Sequence, residues 1–376
     1  MTPAQTLSEL VAIDSVSSRS NAQIADYLTA RCEALGFSVQ RFSYRDDNDL
    51  EKFNLVAIAG AASATRPAVE LALVGHMDTV PYDPAWREAT TLTEKDGKLF
   101  ARGACDTKGF IAAALAAVVL SNIGELRKPL ALVFTADEEI GLIGAKKLAE
   151  LNPFTARYAI VGEPTSLQPI RAGKGYCLAE IVVRGREGHS AYPALGASAI
   201  FRAARLISRI EKIAIQLEQE QHADFDPPFT TLNVGLVRGG SAKNVIPGEC
   251  RMTLEWRPIP GQKPERLLGL IDEAIAAERK LDPDFDCEVN ASRTDSGFEV
   301  APDSKFVQMM EGLSGQKAGT VAFGTEAAQM ILLGAEAVVF GPGNIRVAHR
   351  TGEFVPIAEL QRSVQVLNQA IKRCCY

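Results

Sequence analysis

With 376 residues the chain is longer than one typical domain, which favours two domains or one large α/β core carrying an insertion. A formal charge of -6 with no basic stripe argues against a nucleic-acid partner and describes an ordinary soluble protein. Seven scattered cysteines, odd in number and without C-x-x-C spacing, signal neither a disulfide framework nor a structural zinc knuckle.

The chain opens Met1-Thr2-Pro3-Ala4 and passes into an amphipathic pattern at Leu7, Leu10, Val11 and Ile13. It lacks the basic-then-apolar order of a signal peptide, so a cytosolic location is expected. Short apolar strands are predicted at residues 54–59, 71–74, 130–135 and 159–161, alternating with helices, which is an α/β pattern. The longest apolar run, residues 110–120, is too short to span a bilayer, and its alanines suit a buried helix, so no membrane segment is expected.

From residue 173 to 293 the order changes to strand 177–184, helix 197–216, strands 231–238 and 249–257, helix 264–280 and strand 286–291. That βαββαβ order is the split arrangement of ferredoxin-like modules. Residues 218–228 read as a polar connection inside it, with His222 on the surface. After residue 293 the α/β character returns, with a strand at 335–340 and a C-terminal helix at 357–372. The simplest account is one domain made of residues 1–172 and 294–376, interrupted by a smaller one, 173–293. Glycines near 172–175 and 293–297 mark both crossings as candidate hinges. Cys374 and Cys375 fall at the C-terminal end, where mobility is expected and no chemistry.

The chemistry-bearing residues fall where strands end. His76 and Asp78 follow one apolar run, Asp137, Glu138 and Glu139 follow Leu130–Thr135, and Glu163 follows a third. Asp106 and His349 lie in glycine-containing loops, and two of the chain's four histidines belong to this set. Open α/β sheets collect ligands beyond the carboxyl ends of their strands. Taken singly, each residue has an ordinary reading: His76 as a hydrogen-bonded loop residue, Glu138 and Glu139 as a solvated helix start favoured by the helix dipole. The apolar runs that lead into the acids weigh against it, because carboxylates at the ends of buried strands need a counter-charge, and a metal supplies one. Two imidazoles with several carboxylates suit zinc, cobalt or manganese. Asp78, two residues after His76, is placed to orient that ring through its second nitrogen.

Gly75-His76-Met77-Asp78-Thr79-Val80-Pro81, Arg102-Gly103-Ala104-Cys105-Asp106-Thr107-Lys108-Gly109 and Thr135-Ala136-Asp137-Glu138-Glu139 resemble, in order and spacing, the motifs of the M20 metallopeptidase family. Gly162-Glu163-Pro164-Thr165-Ser166-Leu167-Gln168-Pro169, followed by Arg171-Ala172-Gly173-Lys174-Gly175, is most similar to a branch of that family that deacylates N-acyl amino acids. Gly173, Tyr176 and Arg350 depart from the better-known members of the branch, which leaves the acyl and side-chain preference open.

The resemblance implies a mixed-sheet α/β zinc-hydrolase catalytic domain with an inserted ferredoxin-like lid and dimerisation domain, and an N-acyl amino acid as substrate. It implies two divalent metal ions, zinc with cobalt able to substitute: His76 and Glu163 on one, Glu139 and His349 on the other, Asp106 bridging, and Glu138 as general base. It further implies that His189, in Gly188-His189-Ser190-Ala191-Tyr192-Pro193, stabilises the oxyanion, often from the partner subunit of a homodimer. Arg257 and Asn244 would hold the substrate carboxylate, and Glu326, in Phe323-Gly324-Thr325-Glu326-Ala327, a distal ammonium. Arg257 and Asn244 also fit ordinary surface positions, and Glu326 the start of a helix.

Overall fold

The computed structural model describes residues 2–60 and 65–376. They form two compact units: residues 2–60, 65–171, 300–319 and 325–376, and residues 172–299 with 320–324.

The first unit opens with the helix Pro3–Ala12, started by a capping box: the Thr2 hydroxyl accepts the Gln5 N–H, and the Gln5 side chain accepts the Thr2 N–H in return. Its sheet is mixed. The strands Leu130–Thr135, Ala68–His76, Thr155–Val161 and Glu336–Val339 lie side by side in parallel, in that spatial order. Glu51–Ala59 and then Ser38–Arg45 extend one side antiparallel, and Ile170 pairs antiparallel with Val339 on the other. Parallel strands covered by helices read as continuous apolar runs, and all six residues of Leu130–Thr135 are buried. The alanine-rich run is the helix Lys108–Val119, buried along almost its whole length and packed against the C-terminal helix Ile357–Cys375. Gly162, just past the strand Thr155–Val161, lets Phe110 of the alanine-rich helix lie against the sheet, since a Cβ there would stand 2.2 Å from its ring.

One strand is new and one terminal expectation changes. The strand Ser38–Arg45 is mostly exposed and polar, so no apolar run marks it in the sequence. Cys374 and Cys375 do not lie in a mobile tail: both are buried in the last turn of Ile357–Cys375, and burial raises their thiols to about 11 and about 12. All seven cysteines are free and buried. Among the described residues no helix is long and apolar enough to cross a membrane.

In the second unit the strands run in the spatial order Thr231–Gly239, Glu249–Arg257, Tyr176–Arg184, Asp286–Asp295, all antiparallel. With helices Ala199–Leu217 and Arg266–Leu281 this is the expected βαββαβ module, built around Trp256, Ile181, Leu206 and Ile271. Arg202 grips Asp282, and Arg205 and Arg209 grip the buried Glu278 carboxylate, locking one helix to the other. The unit extends past residue 293 because Phe298 and Glu299 pair with Gly173 and Ala172. A short ribbon that no sequence pattern suggested pairs Gly188–His189 with Val245–Ile246.

Candidate metal centre and substrate-contact residues

In the first unit the carboxyl ends of the parallel strands bring the ligand candidates together. His76 ends its strand opposite Thr135, and Val74 stands opposite Val161, so the segments leading to Glu138, Glu139 and Glu163 leave one edge of the sheet. Asp106 sits just before the buried helix, and His349 lies in the loop beyond Glu336–Val339. The two oxygens of Asp106 are divided between the histidines: Oδ1 is 3.0 Å from His76 Nε2, and Oδ2 is 3.1 Å from His349 Nε2. Glu139 Oε2 lies 3.0 Å from the same His349 nitrogen.

Two sets of donors result, each with its ligand atoms within 4.8 Å of one another: His76, Asp106 and Glu163, and Asp106, Glu139 and His349. They share Asp106. A third grouping joins His76 to Glu138 and Glu139.

The electrostatics of the cluster follow from crowding. Burial pushes the Glu138 and Glu163 carboxyls well above the usual range, and neighbouring carboxylates, Asp106 among them, push in the same direction. Glu139 is raised for the same two reasons. Burial opposes charge on His76, but the hydrogen bond to Asp106 and the negative side chains of Asp78 and Glu138 beside the ring outweigh it and hold the imidazole well above its ordinary value. Hydrogen bonds to Asp106 and Glu139 lift His349 to about 10. Burial alone would raise Asp106, yet both histidines hold it low. Carboxylates crowded beside two imidazoles form a donor set suited to positive charge. The nitrogen and oxygen donors fit a borderline divalent metal.

Asp78 acts in two ways. His76 Nδ1 lies 3.0 Å from the Asp78 main-chain oxygen and 3.6 Å from its carboxylate, so the carbonyl makes the ring's second hydrogen bond. The carboxylate instead accepts the main-chain N–H groups of Glu138 and Glu139, at 3.1 and 3.2 Å, and the Ser17 hydroxyl at 2.7 Å. Asp137 sits in the left-handed region, with φ 54°, its carboxylate gripped by the buried Lys52 ammonium at 2.9 Å and the Tyr44 hydroxyl at 2.8 Å. That grip re-aims the chain so that the next two residues face the cluster. The segment is a turn, and the following helix starts only at Ile143. Its first turn packs directly behind, because Gly144 has no Cβ to strike the Ala136 oxygen.

Glu326 is fully buried just before the helix Ala327–Leu332 and accepts the Thr135 hydroxyl, while among the described residues its Oε2 has no hydrogen-bond partner. Burial raises its carboxyl to about 7, held down in part by His76.

In the second unit the ribbon brings His189 and Asn244 together. His189 pairs with Val245, and the Ser190 N–H donates to the Asn244 carbonyl at 3.1 Å. His189 is exposed and its Nδ1 accepts the Ala191 N–H at 3.1 Å, which puts the ring proton on Nε2 and leaves that N–H as a donor. Arg257 donates to Glu255 at 2.6 Å and to the Ala322 carbonyl at 3.2 Å, and stacks over the Tyr176 ring, whose centroid Arg293 also approaches. Gly173 leaves no room for a histidine, since even a Cβ would come within 2.5 Å of the Phe298 ring. His222 is partly buried and paired with Glu299 at 3.2 Å.

Sequence reasoning passed over Lys52, Tyr44, Ser17, Arg102 and Glu353. A lysine inside a strand and a glutamate in a loop resemble solvent-facing residues, yet Lys52 and Glu353 are both fully buried.

Known proteins resemble this chain along nearly its whole length. The model of the peptidase family M20/M25/M40 matches residues 72–373. An acetylornithine deacetylase of Myxococcus xanthus is 56% identical over 371 residues, covering 98% of this chain and 97% of its own. One from Klebsiella pneumoniae is 36% identical, covering 98% and 96%. Among solved structures, a tripeptidase from Staphylococcus aureus superposes with a TM-score of 0.78 at 26% identity, covering 97% of this chain and 96% of the other.

Proposed function

The chain belongs to peptidase family M20/M25/M40, and from that premise we propose that it is an acetylornithine deacetylase, hydrolysing N2-acetyl-L-ornithine to L-ornithine and acetate in arginine biosynthesis. The relatives named for that activity, one of them 56% identical along nearly the whole chain, support the substrate. The observation that carries the chemistry is the Asp106 carboxylate shared between two donor triads.

His76, Glu163 and Asp106 would hold one divalent ion, and Glu139, His349 and Asp106 a second, zinc by preference with cobalt able to substitute. Bound there, the pair would supply the Lewis acidity that polarises an amide carbonyl and makes water acidic enough to deprotonate near neutrality. Glu138 takes the proton from the attacking water and returns it to the leaving amine. Asp78 keeps Glu138 and Glu139 in place through their main-chain N–H groups.

The other assignments rest on the family resemblance. His189 offers its Nε2–H to the developing oxyanion. Arg257 and Asn244 take the α-carboxylate, and the Oε2 of Glu326, without a hydrogen-bond partner among the described residues, is suited to the δ-ammonium of ornithine. The inserted module would serve as lid and as the interface of a homodimer. Phe201 at 72% exposure, together with exposed Leu236 and Val237 on the edge strand Thr231–Gly239, supports that surface.

Turnover of N2-acetylornithine by the zinc- or cobalt-loaded protein, followed as amine release, tests the reading beside N-acetylcitrulline, N-acetylmethionine and N-succinyl-diaminopimelate. Preference for any of the last three overturns the substrate assignment. Glu138→Ala is expected to lower kcat by about 10²–10⁴-fold with metal content kept, whereas Glu163→Ala loses metal. Full activity of purified Glu138→Ala removes the mechanism.

A further inference from the structure

We propose that Glu353, outside both donor triads, is the positioning residue that sets Asp106 between the two histidines and ties its loop to the loop of His349. The role rests on the metal-centre reading above.

Glu353 is completely buried, and each carboxylate oxygen is committed. Oε1 accepts the main-chain N–H groups of Cys105, at 2.9 Å, and Asp106, at 3.1 Å. Oε2 accepts Arg102 Nη1 at 2.6 Å. Arg102 is itself buried, with Nη2 3.3 Å from the Pro81 carbonyl and its guanidinium 5.5 Å from the Trp86 ring centroid. The main chain repeats the link: the Ala101 N–H donates to the Glu353 carbonyl, and the Glu353 N–H to the Arg350 carbonyl, one residue after His349. One side chain thus joins the segment that presents the shared carboxylate to the segment that presents the second imidazole, across 247 residues of sequence.

A buried ion pair by itself is weak evidence of function, because apolar replacements of similar volume are often as stable. What separates this one is the far side of the carboxylate, where two N–H donors hold the backbone at Asp106. A bridging ligand has to present both oxygens in fixed directions, and residues that orient ligands typically govern metal affinity by about 10–100-fold. Glu353 touches neither substrate nor metal in this account and acts through Asp106.

The test follows Co²⁺ binding to the chelator-stripped chain by its visible absorption, with thermal melting as the control for folding. Arg102→Met/Glu353→Leu removes the ion pair and the acceptor together. It is expected to fold, to bind Co²⁺ about 10–100-fold more weakly, and to show a changed Co²⁺ spectrum. Arg102→Met/Glu353→Gln also removes the ion pair but keeps an amide oxygen for the two N–H donors, and is expected to bind within about threefold of the unmodified chain. If the leucine variant unfolds, Glu353→Gln alone carries the comparison. Arg102 then claims the amide oxygen and turns the NH₂ against the Cys105 and Asp106 donors, so the same weakening and spectral change are expected. Wild-type affinity and spectrum in the leucine variant, or in Glu353→Gln where that is the one that folds, overturn the role, as does equal loss in both double variants. An unmodified chain that takes up no Co²⁺ would instead overturn the metal-centre reading on which the role depends.

Discussion

The two units hold their functional candidates in opposite ways. In the first, every ligand candidate but His349 is at least half-buried, and the loops are braced from behind: Asp78 grips two main-chain N–H groups, Lys52 and Tyr44 grip Asp137, and Glu353 grips the turn at Asp106. In the second, His189 and Asn244 are exposed on a ribbon with two residues in each strand. The contrast follows from the chemistry. Ligands that must hold cations a few ångströms apart need fixed directions and the low dielectric that makes charges attract strongly. His189 and Asn244, proposed to meet a substrate, sit where the backbone can give.

That contrast predicts separable losses. On the proposed assignment of His189 as an oxyanion donor, replacing it by alanine is expected to lower kcat by about 10²–10³-fold with metal content and melting temperature unchanged. Loss of metal in that variant would break the division, because it would make an exposed ribbon residue part of the centre.

Asp78→Asn sharpens the other half. It keeps the shape and the main-chain carbonyl that orients His76, but sets an amide NH₂ among the Ser17, Glu138 and Glu139 donors. Metal affinity is expected to weaken by about 10–100-fold, read by equilibrium dialysis, with the KM of enzyme held saturated in metal unchanged. A raised KM with unaltered affinity would place Asp78 against the substrate.

The same division decides what could be read from sequence. His76, Glu139 and Glu163 were legible because unbroken apolar runs lead into them, and Leu130–Thr135 and Glu249–Arg257 have the bounds their residues suggest. The braces were not. Lys52 lies in Glu51–Ala59 as a charge in an apolar strand, and only the fold shows it donating to the Ser17 and Arg19 carbonyls as well as to Asp137. Glu353 comes four residues after His349, in a loop whose composition says nothing of a partner 247 positions away. The ribbon at Gly188–His189 is too short for any period to appear. Patterns of side-chain polarity report which face is buried, and they are silent about which buried charge meets which backbone.

Arg257 gives the smallest expected effect and the finest division. Among the described residues, two of its five N–H donors are already taken, by Glu255 and the Ala322 carbonyl, and its plane rests on Tyr176. The guanidinium is therefore held before any carboxylate arrives, with three donors left to meet it. Arg257→Lys keeps the charge but loses the planar fork and the stacking, so KM for the acylated amino acid is expected to rise roughly tenfold, the scale of one charge-assisted hydrogen bond. Both kcat at saturation and metal content should stay near wild type. An N-acylated amine lacking the carboxylate should lose the distinction between the two enzymes, because the fork then has nothing to grip. If KM for the acylated amino acid does not move, Arg257 is a structural strut between Glu255, Tyr176 and Ala322, and the carboxylate is bound elsewhere.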